Sequence, residues 1–148
     1  RTVLVLPHQL LLISMKVTDI AFTGYPVTNM PRARDFYEKK LGLSPTVYEL
    51  EKGASWVEYE MRSGTLAITD IDPNWQPRDN GPSIALEVDD FDAMMIHLRD
   101  NGFTICADKI DTPVCKIGTI QDSEGNMITI YSKKAVYPEF SNGVTKSA

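Results

Sequence analysis

IQDSEGNMITIY, residues 120–131, holds a strand, a tight glycine turn and a second strand. After the turn at Gly125 the residues alternate, with Ile128 and Ile130 on one face and Thr129 and Tyr131 on the other. That is the pattern of a strand with one face in a core and one face turned to something else. An earlier stretch does the same. SWVEYEM and TLAITD flank Ser63-Gly64, so Gly64 answers Gly125 and the hairpin occurs twice.

Working outward, each hairpin is preceded by the same elements. VTDIAFTGYPV and SIALEV read as strands. NMPRARDFYEKKLG reads as a helix with Asn29 as N-cap, Pro31 in the first turn and Gly42 as terminator. DFDAMMIHLRDNG reads as a second helix, capped by Asp90 and ended by Gly102, with Phe91, Met94 and Leu98 inward. TVYELEK and FTICAD supply one further strand per half, and VCKIGTIQD precedes the last hairpin turn. Both halves are therefore β-α-β-β-β, and IDPNWQPRDNGP, with three prolines and no periodicity, joins them. The fold class is α+β. Three hairpin-linked strands per half argue against a doubly wound parallel sheet.

The chain has 148 residues and a net charge of -5. Such acidity, with no cluster of Lys and Arg, argues against nucleic acid as a partner and suits a neutral or cationic small molecule. Cys106 and Cys115 are too few for a disulfide scaffold and read as two reduced, semi-buried thiols of a cytoplasmic protein. RTVLVLPHQLLLIS, residues 1–14, is apolar but interrupted by Pro7, His8 and Gln9, so it neither spans a bilayer nor forms a signal-peptide core. Met15-KVTDI looks like a natural start, and residues 1–15 read as an extension that buries itself against another surface. The organisation is then an extension (1–15), modules 16–72 and 83–133 joined by linker 73–82, and a tail (134–148).

RARDFYEKKLGL, WVEYEMRSGTLAI, IALEVDDFDAM and IQDSEGNMITI, in this order, resemble segments of the vicinal oxygen chelate superfamily, which includes glyoxalase I, extradiol dioxygenases and bleomycin-resistance proteins. The resemblance implies two βαβββ modules whose sheets curve around a concave pocket, with helices on the convex side. It also implies a homodimer in which halves of two chains complete a barrel. Alternation then places Phe22, Trp56, Glu58, Thr69, Ser83, Glu87, Thr119, Thr129 and Tyr131 toward the concavity, beside Gly24, Pro26, Ala67, Ala85 and Ile117.

Metal-dependent members of that superfamily draw one ligand from each of four strands, and the matching positions here are Phe22, Ala67, Ser83 and Thr129. Aryl and methyl groups cannot coordinate, and hydroxyls are poor ligands beside imidazole or carboxylate. No metal or cofactor is therefore expected, and His97, on a helix, reads as a packing residue. The concave residues form an aromatic and polar bowl with two carboxylates, suited to stacking on a planar ligand or neutralising a cation. The reading is a metal-free small-molecule-binding protein that sequesters a cationic or aromatic compound such as an antibiotic. The alternatives are a lyase, isomerase or dioxygenase, metal-dependent or using a pocket glutamate, and a protein-interaction module.

Overall fold

The structure, a computed structural model, describes residues 2–3 and 15–135. Of the extension expected to bury itself, residues 1 and 4–14 lie outside the described residues, as do residues 136–148 of the C-terminal tail. The first module runs β1 (Thr23–Pro26), α1 (Met30–Arg34, continued as wider π-helical turns over Asp35–Lys40), β2 (Pro45–Glu49), a 3-10 turn (Glu51–Gly53), β3 (Ser55–Met61) and β4 (Gly64–Thr69). The second runs β5 (Ile84–Glu87), α2 (Phe91–Asp100), β6 (Ile105–Asp111), β7 (Cys115–Gln121) and β8 (Met127–Lys133). The sheets have strand orders β1-β4-β3-β2 and β5-β8-β7-β6. In each, the first and last strands of the module pair in parallel and the remaining neighbours are antiparallel. This is the expected duplicated α+β architecture.

Alternation sorts the faces of β3 and β8 as the sequence indicated, whereas on β4 Ala67 and Thr69, expected toward the concavity, are as buried as Leu66 and Ile68. Val57, Tyr59, Leu66, Ile68, Ile120, Ile128 and Ile130 are fully buried under the helices. Both helices begin as read: the Asn29 side chain accepts from Arg32 N and that of Asp90 from Ala93 N. Gly42 and Gly102 end them with positive φ. Three further details differ. The first strand is short and leaves Phe22 outside it, because its parallel partner β4 begins its register only at Thr23. The first helix widens after Arg34, which turns both Phe36 and Tyr37 into the core. In α2 it is Met95 that is buried with Phe91 and Leu98, while Met94 is partly covered.

Close approach of helix and sheet explains Gly118 on β7. A Cβ there would lie 2.9 Å from Met95 Cε, 3.0 Å from the Asp108 carbonyl oxygen and 3.1 Å from Phe91 Cζ. The methionine end can move, but the backbone oxygen cannot. Gly118→Ala is expected to cost about 1–3 kcal/mol through overpacking. Urea unfolding would measure it, and a cost below about 0.5 kcal/mol, the scatter of neutral surface changes, would refute this account.

The two modules share one core. Phe36 meets Phe103 edge to face at 4.7 Å, and Tyr37 donates to Asp122 Oδ2 at 2.6 Å. At the seam Tyr25, near the end of β1, donates to Met127 O at 2.6 Å and accepts from Ile84 N at 2.7 Å, so β1 and β5 lie side by side. The β7–β8 turn then holds the start of α1. Asn126 Nδ2 donates to Pro26 O, and the Glu124 carboxylate accepts from Thr28 N, Asn29 N and Arg32 Nε.

Burial opposes ionisation of Glu124, but the Arg32 guanidinium and the two backbone N–H donors outweigh it and hold the carboxyl below the usual glutamate range. The sign of the pH dependence follows. A depressed folded-state pKa contributes stability that is fully present above the unfolded glutamate value, about 4.3. That contribution is lost as pH falls through the lower folded-state value. Glu124→Gln is therefore expected to be less stable than the parent at pH 7 by about 1 kcal/mol. It should also lose less on going from about pH 5 to about pH 3. Parallel urea midpoints for the two proteins over that window would contradict the assignment.

Candidate functional site

The helix-covered faces are occupied by core, which leaves the opposite faces of the two sheets as the place for a ligand. On the first sheet Trp56 and Glu58 of β3 project there. The Trp56 indole N–H donates to Glu58 Oε1 at 2.9 Å, and Phe22 meets the Trp56 ring edge to face with centroids 5.0 Å apart. Tyr48, the cross-strand partner of Trp56, shares this face and is half exposed. Thr69 also pairs with Trp56, but it is buried and its hydroxyl donates to Ser55 O at 2.8 Å while accepting from Ile71 N. Its polar capacity is spent on the backbone.

On the second sheet Ser83 and Thr129 touch through their hydroxyls at 2.8 Å. Thr129 lies opposite Thr119, and Glu87 opposite Tyr131, in the strand registers. Glu87 is exposed. Of the nine expected residues, Phe22, Trp56 and Glu58 lie together on the first sheet, Ser83, Thr119 and Thr129 lie together on the second beside Glu87 and Tyr131, and Thr69 is withdrawn into the interior. The seam between β1 and β5 separates the two groups.

The metal expected of the wider superfamily does not fit these positions. Phe22 offers a ring edge, Ala67 a fully buried methyl, and Ser83 and Thr129 are bonded to each other. Among the described residues no three His, Cys, Asp or Glu side chains gather closely enough to hold an ion. His97 bonds through Nε2 to Lys40 O at 3.0 Å, which ties α2 to the end of α1. Cys106 is exposed and Cys115 buried, both as free thiols. No helix among the described residues is long and apolar enough to cross a membrane.

Sequence reasoning missed Trp75. It lies in the linker, where aperiodicity concealed it, yet its Cη2 lies 3.0 Å from where a Gly24 Cβ would stand, and Phe22 borders the same spot at 3.5 Å. The linker therefore folds over β1 and adds a third aromatic ring beside Phe22 and Trp56. A cavity of about 660 Å³ opens beneath it, bounded by β1, the linker and the start of β5. The signal available in the sequence was the glycine within a strand, which often marks a close approach.

A groove of about 880 Å³ also lies along the start of α1, on the helix side, lined by paired charges such as Arg34 and Glu38.

The profile of the Glyoxalase/Bleomycin resistance protein/Dioxygenase superfamily matches residues 19–130. Among solved structures, the antibiotic binding protein TnmS3 from Streptomyces sp. CB03234 is 21% identical. It superposes with a TM-score of 0.65 over 81% of this chain and 99% of that one. A glyoxalase/bleomycin resistance protein from the same Streptomyces strain is 23% identical, with a TM-score of 0.61 over 76% of this chain and 98% of its own. A glyoxalase family protein from Bacillus cereus is 14% identical, with a TM-score of 0.65 over 82% and 98%. At these identities the likeness concerns the fold. No curated protein sequence matches the chain.

Proposed function

Because this chain belongs to the Glyoxalase/Bleomycin resistance protein/Dioxygenase superfamily, we propose that it works as a metal-free binding protein that sequesters a small aromatic or aromatic-cationic compound. The observation that carries the reading is the Phe22–Trp56 pair with Glu58 bonded to the Trp56 indole, on the sheet face that the helices leave open. Rings at such an angle present one flat face and one edge to a planar guest, and the carboxylate beside them attracts positive charge. The unsuitable donor set at the four metal positions supports the same reading, as does a structural neighbour that is itself an antibiotic binding protein.

The working form is a homodimer. Tyr48 on β2 and Ile110 on β6, half exposed at the outer strands, supply apolar surface for a second copy to cover.

The test is calorimetric titration with a panel of flat aromatic cations and neutral aromatics, on parent and Trp56→Ala protein. Binding by the parent that weakens at least tenfold in the variant is expected. Absence of binding across the panel, or an equivalent of divalent metal retained through chelator-free purification, would overturn the reading.

A further inference from the structure

We infer that the cavity roofed by the linker is a subsite for a planar aromatic ring bearing a carboxylate, with Trp75 as its stacking platform and Arg78 as its counter-charge. The inference rests on the binding-protein reading and specifies the ligand of that same open face.

Three observations converge. The cavity, about 660 Å³, is of the size that takes one drug-like molecule. Its roof includes an indole that is 41% exposed although it packs on a strand. Gly24 has an ordinary backbone conformation, so the absence of a side chain there serves the approach of Trp75 rather than a turn.

The second observation is electrostatic. Arg78 is the only Lys, Arg, Asp or Glu among the residues lining the cavity. No carboxylate among the described residues lies within ion-pair distance of it, and its side-chain hydrogen bond is a 3.4 Å contact to the adjacent Pro77 O. Asn74, Gln76 and Asn80, which line the cavity with it, are amides and cannot neutralise it, and the adjacent Asp79 accepts from Gln121 Nε2 instead. A guanidinium left in this state presents its planar fork to a carboxylate in a bidentate pair, and the amides can add donors around it.

Third, the linker is held in place. Met127 N donates to Arg78 O, Gln121 Nε2 to Asp79 Oδ2, and Trp75 N to Asp72 O. The platform and the charge are thus fixed on either side of Pro77, which lowers the ordering cost of binding.

The experiment is isothermal titration of the full chain with 2-naphthoate and with 2-naphthamide, which share a ring system and differ in charge. The parent should bind the naphthoate at least tenfold tighter than the amide. Arg78→Gln should remove that preference, weakening the naphthoate about tenfold while shifting the amide less than twofold. Trp75→Ala should weaken both about tenfold, and Trp75→Phe should recover most of the loss. Arg78 is exposed, so thermal unfolding of Arg78→Gln is expected to match the parent; Trp75→Ala loses packing on Gly24, and far-ultraviolet circular dichroism is expected to show it still folded at the titration temperature. Equal affinity for the two probes, no naphthoate binding, or equal losses for both in Arg78→Gln overturns the subsite. If aromatic cations bind in a Trp56-dependent way while naphthoate does not, the subsite falls and the binding-protein reading stands. If no aromatic compound binds, both fall.

Discussion

Asp122→Ala is expected to lower stability by about 3–5 kcal/mol and the melting temperature by on the order of 10 °C. Asp122 is buried, and its two oxygens accept from Tyr37 Oη, Asn126 Nδ2, Glu124 N and Asn126 N. Truncation deprives the hydroxyl of Tyr37, itself fully buried, of its acceptor. Burial, and then the Asp122 carboxylate beside it, push the Tyr37 phenol well above its ordinary range, so it remains a donor at any pH at which the protein is studied. It also unties the turn whose Glu124 and Asn126 grip the first module. Asp122→Asn should fall between the two, since one oxygen can still serve the backbone donors while the amide faces a hydroxyl. Guanidinium unfolding reads all three proteins. A loss below about 1 kcal/mol for the alanine variant would mean that the turn is held by something other than this carboxylate.

Phe36→Ala is expected to cost about as much, 3–5 kcal/mol by the usual range for an aromatic removed from a tight core. Its ring is fully buried and meets Tyr37 at 5.0 Å and Phe103 at 4.7 Å. Phe103 belongs to the second module, so the cavity opens between the halves rather than within one. The parent and the variant should therefore both unfold in a single transition, followed alike by far-ultraviolet circular dichroism and tryptophan fluorescence. Trp56 and Trp75 lie in the first module and the linker, so fluorescence reports that side. A variant in which fluorescence changes well before the circular dichroism would show that the halves are separate folding units and that the shared core couples them weakly.

The β strands and helix starts were legible because each depends on local chemistry: two-residue alternation in WVEYEM and ITIY, and a capping oxygen at Asn29 and Asp90. What was not legible depends on chain segments far apart. Asp122 and Glu124 stand in a polar turn, where acidic residues are ordinary. Only the folded chain brings Tyr37, 85 positions away, and Arg32 onto them. Trp75 escaped for the same reason, since a proline-rich segment carries no period that could point an indole at Gly24. The nine residues assigned to the open face were read by alternation alone. That argument fixes which way a side chain leaves its strand. It does not say that the Thr69 hydroxyl is already engaged by Ser55 O, or that Ser83 and Thr129 bond to each other.

The two outermost strands carry a further consequence. β2 begins with Pro45, which has no N–H to offer, and all five of its residues are exposed. β6 departs from regular register twice against β7, and along it Asp108, Lys109 and Asp111 are held in ion pairs with Arg99, Asp92 and Lys134. Imperfect donors on one side, and kinks with charge on the other, make both rims poor templates for an incoming strand. Edge-to-edge addition of further strands, the route by which open sheets grow into fibrils, is disfavoured at either end of the fold.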